Sequence, residues 1–289
     1  MLFEELIGRT ILVLIYGLSF GCILAIISVG LSLTYGLMKV LNIGHAILYA
    51  LGAYMLYTII FYFQGNFLYG VLAAIGFTAV IGFIEEKTLI RRLYGKDIDF
   101  SILVTYAVVY IVTDLIKMAW GLEPKPVADP IAISFPVFGA SVPVYRLLII
   151  IVTVAVYLGL NIFLKRTMIG KIIRAGLEDR ESLQALGIDP SRSFIVIFFL
   201  GSLLAGLGGA LYAPIIMVYP YMGHEIIPLT FATVVTGGIG SLKGSLIGGI
   251  ILGLSTSIGA FIYGPIVQAM PYIAMLVVLA IKPSGIFGE

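Results

Sequence analysis

Apolar residues run along this chain in long unbroken blocks rather than alternating with polar ones. Such blocks form helices, and those of about 20 residues are long enough to cross a bilayer. The pattern predicts spans at roughly 11–37, 44–63, 68–86, 100–119, 144–164, 193–217, 244–263 and 266–281, with a shorter apolar piece at about 228–237 ahead of the seventh. The expected fold is all-α: a polytopic transmembrane helix bundle of about eight spans, read as one transmembrane domain over residues 1–289. Composition agrees. With 61% hydrophobic and 11% charged residues and a mean hydropathy of +1.13, the chain has more apolar surface than a water-soluble domain can hide.

Charge orients the spans. The polar stretches "EEKTLIRRLYGKDID" (85–99) and "KRTMIGKIIRAGLEDRESLQALGIDPSR" (165–192) hold ten basic residues, whereas the Pro-rich 120–143 holds one, Lys125. Two spans separate the basic stretches, so both face one side, and the positive-inside rule makes it the cytoplasm. That places the N-terminus and 120–143 outside and the C-terminus inside. "MLFEELIGRT" is acidic where a signal peptide would be basic, and it reads as the start of the mature chain. The single cysteine, Cys22, has no partner for an internal disulfide, and a net charge of +2 gives no reason to expect nucleic acid.

Two apolar segments carry interruptions. Residues 10–63 hold one formal charge, Lys39, yet two spans use only about 40 residues. A broken or re-entrant segment around 36–45 accounts for the rest. "LTYGLMKVLNIGHAILYALGAY" (33–54) places Asn42, Gly44 and His45 at that break. "LTFATVVTGGIGSLKGSLIGGIILG" (229–253) has the same order of parts: a short piece, a break at Thr236, Gly237 and Gly238, then a Gly-containing helix. Matching interruptions in two halves give a weak internal symmetry and point to a translocation path. Asn42 and His45 read either as structural groups, with Asn42 capping the next helix, or as lining of the path, and the two are compatible. Most glycines, among them Gly201, Gly206, Gly208, Gly209, Gly248, Gly249 and Gly253, read as close helix contacts.

Other chemistry is sparse. "GGIGSLKGS" is not a phosphate loop, because Leu242 precedes Lys243 and Gly244 follows it. No catalytic constellation, metal-ligand spacing or cofactor motif presents itself. Asp114 and Lys117 read as an intramembrane pair, and Glu85 and Glu86 as snorkelling or pairing beside Lys87. Tyr221, His224 and Glu225 fall in an outer segment, where they read as lining an entry from outside or as meeting an extracytoplasmic binding protein. Within 165–192, Asp179 reads as a helix cap, Leu183 and Leu186 as one apolar face and Gly187 as the terminator. A short helix of this kind suits docking to a cytoplasmic partner.

That loop, with "LNIGHAILYALGAY", "VYPYMGHEIIPLTF", "VTGGIGSLKGSLIGGIILG" and "KPSGIF", resembles the high-affinity branched-chain amino-acid ABC transporter permeases, from about residue 8 to 287. Ile43, Gly44 and Ala46 depart from the family's usual residues around the histidine. The resemblance implies a multi-pass subunit of a bacterial or archaeal inner-membrane importer. It also implies a second related permease, two ATP-binding cassette subunits that hydrolyse ATP on its behalf, and an extracytoplasmic binding protein. It places coupling on Gly170, Arg174, Ala175, Asp179, Leu186 and Gly187, with Ala185 beside Gly187 at the docking tip. The competing reading is a stand-alone secondary transporter or channel for urea, short amides or amino acids. That reading expects a carboxylate at the breaks, and the interrupted segments contain none.

Overall fold

The computed structural model describes residues 2–188 and 191–288. Asp189 and Pro190, inside the predicted coupling loop, lie outside the described residues. In chain order the helices are α1 (Leu2–Met38), α2 (His45–Phe61), α3 (Phe67–Thr88), α4 (Ile98–Trp120), α5 (Val144–Arg166), α6 (Met168–Glu178), α7 (Arg180–Ala185), α8 (Ser191–Tyr212), α9 (Met222–Gly237), α10 (Leu242–Ile262) and α11 (Met270–Ile281). Six of them are long and apolar enough to span a bilayer, and α2 and α11 are shorter apolar helices. The protein is a polytopic helical bundle, as the apolar blocks predict.

Several boundaries differ from the sequence expectation. α1 begins at Leu2, not near 11, because an i,i+4 pair of Glu5 and Arg9 continues the helix past its apolar block. It also runs through Gly36, so the break occupies only 39–44. α8 stops at Tyr212 instead of 217. α9 starts at Met222 rather than 228, because Pro228 sits inside the helix without ending it. α11 starts four residues later than expected, after a 3-10 turn at Gly264–Ile266. The 120–143 stretch contains a β-hairpin, β1 (Ser134–Val137) paired antiparallel with β2 (Ala140–Pro143), which the sequence reading did not foresee.

α1 is the axis. Every residue from Gly21 to Thr34 is buried, as expected for a helix apolar on all faces. Its beginning touches the hairpin, with Gly8 against Phe138 and Ala140. Its end touches α6, with Gly36 against Leu177. The hairpin and the α6–α7 loop therefore lie at opposite ends of the bundle, about 40 Å apart at helical rise.

Close packing around this axis depends on glycine. Gly17 and Gly21 of α1 face Gly249 and Gly253 of the antiparallel α10. A Cβ on Gly253 would sit 2.3 Å from Gly17 O and Gly21 N, and one on Gly249 2.5 Å from Gly21 O. Lipid tails are as apolar as leucine, so helices gain from this direct van der Waals contact between backbones. On α8, a Cβ on Gly206 would meet Thr78 at 2.0 Å, and one on Gly209 would meet Tyr49 O at 1.9 Å.

The outer helices use narrower stripes. α4 packs through Ser101, Thr105, Val109, Thr113 and Ile116, while Leu103, Ile111 and Met118 stay exposed, as a lipid-facing surface should. α5 is fastened by two phenols: Tyr145 donates to Leu211 O at 2.6 Å and Tyr157 to Ala25 O at 3.0 Å.

Gly253→Leu is expected to cost about 1–3 kcal/mol through overpacking against α1, seen as lower membrane abundance and a lower thermal-aggregation midpoint. Gly76→Ala, where a Cβ meets nothing within 4 Å, is expected to leave both unchanged. Equal behaviour of the two variants would contradict the glycine-packing account.

Candidate functional site

The first interruption leaves main-chain groups that α1 and α2 cannot satisfy. Residues 39–44 turn back from the end of α1 into the bundle, and α2 starts beside Ile27 and Gly30, well above that end. A hydroxyl from α4 serves the segment. Thr105 Oγ1 accepts from Ile43 N at 3.1 Å, lies 3.3 Å from Leu41 O, and donates to Ser101 O at 2.7 Å.

Asn42 does not cap α2. Gly44 is the N-cap residue and makes no side-chain bond. The first N–H groups of α2 bond back to Asn42 O, Ile43 O and Gly44 O, so the turn satisfies itself. Asn42 Nδ2 instead donates to Glu85 Oε1 at 3.3 Å, and Asn42 Oδ1 is buried without a partner among the described residues. Gly44 lies between them: a Cβ there would be 2.9 Å from Asn42 Oδ1 and 3.0 Å from Glu85 Oε1. His45 Nε2 bonds Ile27 O at 3.1 Å, tying α2 to α1.

Glu85 and Glu86 therefore do not snorkel. Both are buried; Glu85 meets Asn42, and Glu86 accepts from the Tyr94 hydroxyl at 2.7 Å. A carboxylate does stand at the first break. It is supplied by α3, and 43 residues of separation hid it from a reading of the interrupted segment alone.

The second interruption, 238–241, is covered in the same manner. Gly240 N donates to Ser32 Oγ of α1 at 2.9 Å. The C-terminal turn adds Ile286 N to Thr236 O at 3.0 Å and Phe287 N to Gly237 O at 2.9 Å. Gly238 has φ +99° and packs on Phe287 and Gly288. A side chain at Gly237 would collide with Gly244 O at 2.1 Å. Asn42, His45, Thr236 and Gly237 are thus buried.

Open space lies toward each end of the bundle. Toward the hairpin end, a cavity of about 570 Å³ is lined by Phe20, Tyr49, Tyr212, Tyr219 and Tyr272 with the Glu225 carboxylate. Glu225 accepts from the Tyr219 hydroxyl at 2.5 Å. Its neighbours in sequence do other work. His224 Nε2 bonds Thr113 Oγ1 at 3.0 Å and joins α9 to α4. Tyr221 lies under Lys117 Nζ, 4.6 Å from the ring centroid, and Lys117 pairs with Asp114 at 2.8 Å as expected. At the other end, a cavity of about 670 Å³ is bounded by the end of α1, α5, α6 and the second break.

The α6–α7 loop reaches the end of α1 and the second break. Thr167 caps α6 through Gly170 N at 2.9 Å. Gly170 allows the α5–α6 corner, since a Cβ there would be 2.3 Å from Phe163 O. Arg174 Nε bonds Leu164 O at 2.9 Å. Leu177 then lies against Gly36 and Gly240, 2.7 and 3.5 Å from where their Cβ atoms would be. Ala175 is half-buried in the same helix. Asp179 Oδ1 accepts from Ser182 N at 3.0 Å and starts α7, and Gly187 at φ +78° ends it. Leu183 is buried whereas Leu186 is 78% exposed, so they do not share one face, and Ala185, Leu186 and Gly187 form an exposed tip.

Thr105→Val removes the acceptor for Ile43 N at nearly constant volume. It is expected to lower stability by about 1–3 kcal/mol, with Thr105→Ser close to wild type in thermal aggregation. Matching midpoints for Val and wild type would show that the break does not need this hydroxyl.

The model of the family described as "Branched-chain amino acid transport system / permease component" matches residues 13–280. The chain is 26% identical to the high-affinity branched-chain amino acid transport system permease protein BraD of Pseudomonas aeruginosa, over 96% of this chain and 95% of that one. It is also 26% identical to LivH of Escherichia coli, over 94% of each, and to a probable LivH of Methanocaldococcus jannaschii, over 92% and 89%. Among solved structures, PsaBC from Streptococcus pneumoniae in complex with Fab shares the fold, with a TM-score of 0.50 at 16% identity over 94% of this chain and 92% of that one. The chain belongs to the family of permease components of branched-chain amino acid transport systems.

Proposed function

We propose that this protein is the membrane-spanning half of an ATP-driven importer for branched-chain amino acids. It works with two ATP-binding cassette subunits, a second related permease and an extracytoplasmic binding protein. The observation that carries this reading is the seat of Leu177 against Gly36 and Gly240. Through it, a push on the exposed α7 tip by a cytoplasmic ATPase reaches the ends of both interrupted helix pairs. The basic residues of 85–99 and 165–192 put that tip in the cytoplasm, with the N-terminus and the hairpin outside.

The substrate assignment follows the relatives' names and fits the chemistry of the aromatic cavity. Its rings suit an aliphatic side chain, and Glu225 suits an ammonium group. Asn42, Gly44, His45, Thr236, Gly237 and Gly238 form a buried layer at the two breaks. We take that layer as the closed barrier of an alternating-access path, opened when α6 shifts. Gly170, Arg174, Ala175 and Asp179 hold the lever, and Ala185, Leu186 and Gly187 present it to the ATPase.

The reading is tested by reconstituting the permeases with their ATPase subunits and binding protein in liposomes and measuring uptake of labelled leucine. Ala185→Arg and Leu177→Ala are expected to lower ATP-dependent uptake at least about tenfold, which corresponds to 1.4 kcal/mol of coupling, with membrane abundance unchanged. Wild-type uptake by both would remove α6–α7 as the coupling element. In a Cys22→Ser background, thiols introduced by Ser134→Cys and Ala185→Cys are expected to label from opposite faces of the membrane. Labelling from the same face would reverse the orientation argument.

A further inference from the structure

The cytoplasmic-end cavity carries a charge that the transport reading does not use. Four cationic side chains line it: Lys39, Lys165, Arg174 and Lys243. Glu178 is the one carboxylate among its lining residues. None of the four cations makes an ion pair among the described residues. They come from four separate places in the fold: the first break, the end of α5, α6, and the first turn of α10. Cations spread over a cytoplasmic surface satisfy the positive-inside rule, but that rule gives no reason for four of them to line one cavity.

Two further observations aim the cavity at an anion. α10 begins at its wall: Ser241 caps it by accepting from Gly244 N at 3.0 Å. That leaves the N–H groups of Leu242 and Lys243 without a partner among the described residues. These are the free donors at the positive end of a helix dipole. In addition, Lys39 is held at φ +56°, in the left-handed region that lysine rarely occupies. It follows the last residue of α1, keeps the helical bond from Lys39 N to Tyr35 O, and lines the cavity.

We propose that this cavity binds a phosphate group, presented by an anionic phospholipid of the cytoplasmic leaflet. Its apolar lining, including Leu164, Leu177 and Phe287, suits the glycerol and upper acyl carbons beside a phosphate. Basic pockets between transmembrane helices at that level hold anionic headgroups through the same combination of charge and donors. Leu177, which touches the end of α1 and the second break, shares this cavity. A bound headgroup therefore stands beside the contact that joins α6 to α1 and α10.

The test uses the full-length permease in a neutral detergent and measures binding of short-chain phosphatidylglycerol, with phosphatidylcholine and inorganic phosphate as separate probes. Lys39→Asn suits the left-handed position and removes the charge; Lys243→Gln removes a second. The double variant is expected to bind phosphatidylglycerol about tenfold or more weakly than wild type while keeping its thermal-aggregation midpoint. Arg91→Gln with Arg92→Gln, exposed and outside the cavity, is expected to bind as wild type. Lys39→Arg with Lys243→Arg is expected to restore binding. Inorganic phosphate that binds alone with the same sensitivity would support the phosphate site and assign it a soluble anion as source. Equal phosphatidylglycerol affinity for wild type and the charge-removing variant, or no binding of any phosphate probe, would overturn the proposal. Loss of ATPase-subunit capture by that variant with lipid binding intact would overturn it too, and would make the cavity part of a protein interface.

Discussion

A non-helical backbone inside hydrocarbon has no water to bond with, so each main-chain group at an interruption must find a partner within the protein. This protein carries two non-helical interruptions within its bundle and meets the requirement in a similar way at each. One hydroxyl from a neighbouring helix serves each break: Thr105 for residues 41–43 and Ser32 for Gly240. At the second break the C-terminal turn supplies two more donors, from Ile286 and Phe287. Helices must pass close to the breaks for these short side chains to reach, and the glycine faces of α1, α8 and α10 make that approach possible. The breaks, the glycine contacts and the central position of α1 are one solution to one problem.

The same solution links distant parts of the chain. α1 supplies Ser32 to the second break, Ile27 O to His45 after the first, and Gly36 to α6. Both interruptions are therefore read by a single central helix, and the α6–α7 loop packs on the end of that helix. Packed interfaces shift between discrete arrangements more readily than they deform. A displacement of α6 is for this reason expected to act on both breaks together. Glu85 adds a feature of its own. Buried against Asn42 and Gly44, it fastens the first break to α3, so that opening this layer also requires a rearrangement at α3.

Much of this was legible in the sequence because the signals were local. Unbroken apolar blocks located the spans, the lone Lys39 in a stretch too long for two crossings exposed the first interruption, and Asp179 and Gly187 marked the ends of α7. What escaped was relational. Thr105 and Ser32 look like ordinary small polar residues in apolar helices, and only the fold puts them at a break. Asn42 carries the side chain of a good cap, but the first three N–H groups of α2, one of which it was expected to serve, bond to backbone carbonyls, and its amide bonds Glu85 instead. Pro228 reads as a boundary by local rules, whereas the surrounding bundle tolerates it inside α9. The hairpin at 134–143 gave only a weak turn signal around Gly139.

The central claim is that α6 must move against the second break for substrate to pass. Leu177→Cys with Ile239→Cys, in a Cys22→Ser background, places two thiols on the wall of one cavity, where a short bifunctional thiol reagent can join them. In the assembled transporter, the account predicts that crosslinking abolishes ATP-dependent leucine uptake and that a reductant-cleavable linker restores it on cleavage. Full crosslinking with undiminished uptake would contradict the claim.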